Sequence, residues 1–177
     1  MPNVMAWDLA GRCGIAFGRA GEIPRATTVD LGRALSEAER FAKIIRATQH
    51  MLDRFRPDVL VYEAPVGGPR TSHFLVGVAS CFVGQATILG YQPRSVAIAT
   101  VRKHFLGQHL TATSLGTTKA KAREQIKARL IARCGALNWP VRNDDEADAF
   151  AIWDYACVTY AGAQSAPLGG LFDRGAA

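Results

Sequence analysis

The chain has 177 residues, enough for one domain with a sizeable core. Its 49% hydrophobic and 20% charged residues make a globular balance that excludes a disordered chain. A net charge of +6 favours a polyanionic partner, an excess that nucleases share with ribosome-associated proteins and ordinary enzymes.

Val4–Ala10 reads as a strand ended by the Gly11-Arg12 turn, Cys13–Phe17 as a second strand, and Ala26–Leu31 as a third, an antiparallel meander. Ser36 followed by Glu39 is a capping-box signature, and Phe41, Ile44, Ile45, Thr48, Leu52 and Phe55 then recur at helical spacing. Pro57-Asp58 ends that helix. Val59–Glu63 is apolar on both faces, as in the parallel part of a mixed sheet. Ser72–Leu89 is a second helix, Ser95–Ala99 a strand, and Thr100 is placed to cap a short helix over Val101–Leu106. His109–Thr118 is a polar loop. Lys119–Cys134 is a basic helix terminated by Gly135, Pro140–Asn143 a connector, and Asp144–Tyr160 the last helix. Residues 1–160 form one α/β domain, and the small-residue stretch 161–177 is a tail.

No apolar run is long enough to span a bilayer, and Met1-Pro2-Asn3 lacks the basic and apolar regions of a signal peptide. Cys13, Cys81, Cys134 and Cys157 form no Cys-x-x-Cys pair, which argues against a zinc ribbon and for reduced core cysteines. The expected location is the cytoplasm, in association with the nucleoid.

Carboxylates stand at the ends of three apolar elements. Asp8 follows Val4-Met5-Ala6-Trp7, Glu63 follows Val59-Leu60-Val61-Tyr62, and Asp145 and Asp148 open the helix that continues Ala149-Phe150-Ala151-Ile152-Trp153. A carboxylate there is costly to desolvate without a positive partner. The fourth strand buries both faces by returning beside the first, which brings Asp8 near Glu63. Asp145 and Asp148, three residues apart, share one side of a helical turn. Such a set suits a pair of magnesium ions, with manganese as a substitute, acting on a phosphodiester. Taken singly, each acid also has an ordinary use as a cap or a strand-end residue, and Asp144 and Glu146 stand close enough to take Asp145's part.

Trp7-Asp8, Tyr62-Glu63 and Asp145-Glu146-Ala147-Asp148-Ala149, together with Val101-Arg102-Lys103-His104-Phe105-Leu106-Gly107 and the basic Lys119–Arg129 segment, resemble the RuvC family of Holliday junction resolvases. The resemblance runs over roughly Asn3 to Tyr160. It implies a ribonuclease H-like mixed five-stranded sheet flanked by helices. It also implies a magnesium-dependent, homodimeric endonuclease that resolves four-way junctions and other branched DNA by paired nicks. Asp8, Glu63, Asp145 and Asp148 are then the metal ligands, with Asp8 bridging the ions. Two departures stand out. Leu9-Ala10 follows Asp8 where bacterial members usually have Pro-Gly. Ala64-Pro65-Val66 after Glu63 lacks the aromatic residue that cellular resolvases stack on an opened junction base. Phe74 is an alternative wedge, with core packing its ordinary use.

Arg102, Lys103, Lys119, Lys121, Arg123 and Lys127 are the expected DNA-binding residues, in a stretch that also holds Arg129 and Arg133 against Glu124 as its only acid. Lys119, Arg123 and Lys127 share a helix face suited to phosphates. The four histidines show no metal-ligand spacing, and Trp139 and Trp153 read as core. Competing functions are a nuclease of the same fold that processes structured RNA, and a basic nucleic-acid-binding module whose acids are only structural. An actin-like ATPase half lacks its Gly-rich phosphate loops here.

Overall fold

The computed structural model describes residues 1–65 and 72–164. Strands β1 (Asn3–Asp8), β2 (Arg12–Arg19) and β3 (Arg25–Asp30) open the chain, each antiparallel to the one before. Helix α1 (Glu37–Phe55) starts with the expected capping box: Ser36 Oγ accepts from the Glu39 N–H, and the Glu39 carboxylate accepts from the Ser36 N–H. It ends at Arg56 in the left-handed region (φ 42°), just before Pro57. Then come β4 (Val59–Glu63), α2 (His73–Ile88) capped by Ser72, β5 (Arg94–Val96) and α3 (Ile98–Leu106). The chain continues with α4 (Lys119–Ala136), capped by Thr118, and α5 (Asp144–Ala161). The sheet order is β3-β2-β1-β4-β5, with β1, β4 and β5 parallel. This is the mixed five-stranded sheet expected.

Period-two alternation sorts the strand side chains between two cores. Met5 and Trp7 of β1 and Leu60 of β4 pack with Ile44 and Leu52 of α1 and Phe82 of α2. Val4 and Ala6 of β1 and Val61 of β4 pack on the other face with Phe105 of α3 and Phe150 and Trp153 of α5. The same alternation puts Asp8 and Glu63 on the α5 face. They stand one step beyond the Trp7–Tyr62 register pair, at adjacent ends of parallel strands.

Helix α5 is buried along most of its length, including Ala147, Ala149, Phe150, Ala151, Ile152 and Trp153, so its apolar character runs round the helix. Small side chains set its distance from the sheet. Gly14, opposite Asp8 in the β1–β2 register, is the tightest point: a Cβ there would lie 2.0 Å from the Asp145 carbonyl oxygen. Further along, Trp153 Nε1 donates to the Val4 carbonyl at 3.1 Å and ties α5 to β1.

Several boundaries differ from the sequence expectation. Strand β1 stops at Asp8, not Ala10. Strand β5 stops at Val96, where its pairing with Glu63 ends, and α3 begins at Ile98 behind Ala97, which makes no side-chain cap. The β-branched run there favours a strand by propensity, but Val101, Phe105 and Leu106 bury at helical spacing and packing prevails. Thr100 is therefore inside the first turn of α3, not its cap. Helix α4 continues through Gly135; its end is closed by the Trp139 N–H donating to the Cys134 carbonyl at 2.9 Å, and the left-handed residue is Asn138 (φ 57°). Arg133, grouped by sequence with the surface basic residues, is buried on the core side of α4, its guanidinium 5.7 Å from the Phe105 ring centre.

Trp139 and Trp153 are core residues, as expected. All four cysteines are free; Cys13, Cys134 and Cys157 are buried, and burial pushes the thiols of Cys13 and Cys134 up to about 12, which makes them inert filling. Phe74 stacks on Phe41 with ring centres 5.8 Å apart, beneath the Arg40 guanidinium, so it packs against α1. Among the described residues no helix is long and apolar enough to cross a membrane. The segment after Glu63 that lacks an aromatic, from residue 66 to 71, and the tail from residue 165 lie outside the described residues.

Candidate active site

The ends of β1 and β4 and the first two turns of α5 bring Asp8, Glu63, Asp145 and Asp148 together. Asp8 is 9% exposed and Asp148 5%. Asp8 and Glu63 stand close enough for each carboxyl group to act on the other. Burial first, then the charges of Glu63, Asp148 and Asp145, raises Asp8 well above the usual carboxylate range. Glu63 is also raised, chiefly by burial, while the hydrogen bond from Asp8 and the charges of Arg102 and Arg123 oppose the rise. Both acids thus resist ionisation, as expected for neighbouring buried carboxyls that cannot all ionise cheaply.

The first turn of α5 carries three consecutive acids, and the fold gives each a different partner. Asp144 pairs with Lys127 of α4, which lowers its pKa. Glu146 is fully buried and bonds Arg142, whose N–H reaches Oε2 at 2.8 Å and whose Nε reaches Oε1 at 2.9 Å. Asp145 faces the sheet: Arg12 Nε stands 3.2 Å from its Oδ2, and burial leads a rise in its pKa that Arg12 opposes. Of the three, only Asp145 is among the neighbours that raise Asp8. Asn143, taken from sequence as part of a connector, caps the helix by accepting from the Glu146 N–H at 3.0 Å.

Arg102 of α3 completes the cluster. Its Nη2 and Nε donate to the same oxygen, Asp148 Oδ1, at 2.9 and 3.2 Å. Sequence placed Arg102 among residues for DNA phosphates; the structure also seats it on a cluster carboxylate. Lys103, Lys119, Lys121 and Arg123 are exposed, while Lys127 is half-buried against Asp144 and so only partly available to a ligand. Arg12 and Gly14 were not among the residues singled out by sequence. Gly14 carried a readable sign, since a glycine inside a strand marks a close backbone approach. Arg12 carried none.

Four acids on rigid elements, with Asp8, Glu63 and Asp145 each raised chiefly by burial, form a site with an excess of acidic groups. Their hard oxygens match the donor set of magnesium or manganese. As the side chains stand, no three His, Cys, Asp or Glu among the described residues converge closely enough to hold one metal ion. Asp145 and Asp148 are each engaged by an arginine instead.

No family model matches the chain, and no curated protein matches its sequence. Solved structures do match. A Thermus thermophilus RuvC structure is 18% identical, with a TM-score of 0.62 over 85% of this chain and 90% of that one. T. thermophilus RuvC in complex with a Holliday junction substrate is 18% identical, with a TM-score of 0.65 over 86% and 91%. The yeast mitochondrial Holliday junction resolvase Ydc2 is 15% identical, with a TM-score of 0.53 over 84% and 76%.

Proposed function

Since the chain has the RuvC-type ribonuclease H-like fold, we propose that it is a divalent-metal-dependent endonuclease that cleaves four-way junctions and other branched DNA. The observation that carries this reading is the gathering of Asp8, Glu63, Asp145 and Asp148 where the adjacent ends of two parallel strands meet the start of a buried helix, with Asp8 and Asp148 themselves buried. Asp8, Glu63, Asp145 and Asp148 would hold two magnesium ions, or manganese in their place. When bound, the ions would supply charge stabilisation for the attacking and leaving oxygens of phosphodiester hydrolysis.

The rest is the work of the chain itself. Burial and the neighbouring acids raise Asp8, and positive charge entering the cluster would oppose that rise. Burial of Asp8 and Asp148 keeps the ligand oxygens on rigid backbone. The exposed Lys119, Lys121 and Arg123 at the start of α4, with Lys103 on α3, offer a positive flank to phosphates, which sets affinity more than sequence choice. Paired nicks require two sites, and a homodimer supplies them. Val76 and Ile88 of α2 are exposed apolar residues available for that contact.

The test is incubation of the purified protein with a synthetic four-way junction and magnesium, wild type beside Asp8→Asn. Paired nicks by wild type and none by the variant are expected. No cleavage by wild type with magnesium or manganese refutes the reading, and equal cleavage by both refutes the site.

A further inference from the structure

The two acids of α5 are gripped by arginines from distant parts of the chain. Arg12, at the start of β2, holds Asp145, and Arg102, on α3, places two donors on one oxygen of Asp148. The Arg102 pair is not a surface pair of the ordinary kind, whereas Arg12 is half exposed. Asp148 is nearly buried, and the Arg102 side chain is only 25% exposed. Both arginines occupy carboxylate oxygens that a hard cation would need.

We propose that Arg12 and Arg102 are resident counter-ions that a divalent cation must displace from Asp145 and Asp148, and that DNA phosphates assist by taking up the released guanidiniums. The proposal rests on the cluster being a divalent-cation site. Its logic is exchange of partners. Each arginine is satisfied by a carboxylate or by a phosphate, and each carboxylate by an arginine or by a metal ion. A guanidinium can donate to a phosphate oxygen as it donates here to a single carboxylate oxygen, so the swap needs no new kind of contact. Linkage then makes the two ligands cooperative: whatever factor DNA adds to metal affinity, metal adds to DNA affinity. Metal binding is thereby weak in the free protein and strong on substrate. The site is armed by the phosphodiester it acts on.

The experiment measures Mn2+ binding to the full chain by calorimetry and by the metal-induced rise in melting temperature. It compares wild type, Arg12→Gln, Arg102→Gln and Arg102→Lys, each with and without a short DNA duplex. Without DNA, the glutamine variants are expected to bind Mn2+ roughly fivefold tighter or more than wild type, at the low end of site-to-site coupling. They are expected to melt lower without metal and to gain more on its addition, whereas a purely structural role for the arginines lowers both melting temperatures alike. Arg102→Lys, which keeps charge without the fork, falls between. DNA is expected to tighten Mn2+ binding in wild type, and less so in the variants. Equal or weaker Mn2+ binding by cooperatively melting glutamine variants overturns the proposal while leaving the metal site in place. An undiminished effect of DNA in those variants overturns the phosphate exchange. Arg12 is half exposed at a strand start, so its variant keeps the test available if Arg102→Gln fails to fold. Absence of Mn2+ binding in wild type and all variants overturns the proposal together with the metal-site reading.

Discussion

Substitution of Gly14 by alanine tests whether the seat of α5 positions the acidic cluster. An added Cβ would stand 2.0 Å from the Asp145 carbonyl oxygen, 2.6 Å from its carbonyl carbon and 3.2 Å from the Ala149 Cβ. A carbon in contact with a carbonyl oxygen needs about 3.3 Å, so the first turn of α5 must retreat by roughly 1.3 Å. The obstacle is helix backbone and cannot swing aside as a side chain does. The cost lies at the upper end of overpacking, about 3 kcal/mol, which at roughly 2–4 °C per kcal/mol lowers the melting temperature by about 6–12 °C. Because Asp145 and Asp148 ride on that turn, while Asp8 and Glu63 stay with the sheet, the cluster opens. A misplacement near 1 Å reduces cleavage about a hundredfold. Thermal melting and junction cleavage, read on the same preparation, check both halves. A Gly14→Ala protein with the melting temperature and cleavage rate of wild type refutes the claim that close approach at Gly14 sets the site.

Three further outcomes follow from the same geometry. In chelator at neutral pH, Asp8→Asn should stabilise the fold by roughly 0.5–2 kcal/mol, because it removes a buried ionisable carboxyl from among other acids, and in magnesium it should abolish cleavage. For the sign with pH, a carboxyl raised on folding favours the native state fully below its unfolded value, and that contribution is lost as pH rises through the raised value. The advantage of the variant in melting temperature should therefore shrink toward acid pH and grow toward alkaline; a constant difference rules the account out. Replacing Lys119, Lys121 and Arg123 by alanine should weaken junction binding and lower the salt slope by roughly one for each phosphate contact removed, as read by fluorescence anisotropy over a salt series. Gly77→Ala presses on the Phe41 ring at 2.5 and 2.8 Å, a side chain that can yield, so it should cost only about 1 kcal/mol in melting experiments and leave cleavage intact.

Much of the fold was legible because its signals are local. The Ser36–Glu39 capping box acts over three residues, and the apolar spacing from Phe41 to Phe55 acts over successive turns. The carboxylates were legible for a related reason: an acid at the end of an apolar strand is a conflict visible without knowing the fold. Element ends were less legible. Val96 to Val101 has strand propensity and still turns into α3, because the core takes Val101, Phe105 and Leu106 at helical spacing. Arg133 looked like its basic neighbours in the sequence and differs from them only by which side of α4 meets the core.

What the sequence determined by itself is which side chains are on offer, namely four oxygen acids at element ends and a basic stretch before the last helix. What only the tertiary structure decided is which charges meet. Arg12 reaches Asp145 across 133 positions of chain and Arg102 reaches Asp148 across 46, through a sheet whose order places β1 between β2 and β4. Of three consecutive acids, Asp145 alone joined Asp8, because Lys127 and Arg142 engaged its neighbours. The physical reason is range. Capping and periodicity are settled within a turn or two of chain, whereas the pairing of buried charges depends on elements brought together by packing, down to the absent side chain of Gly14.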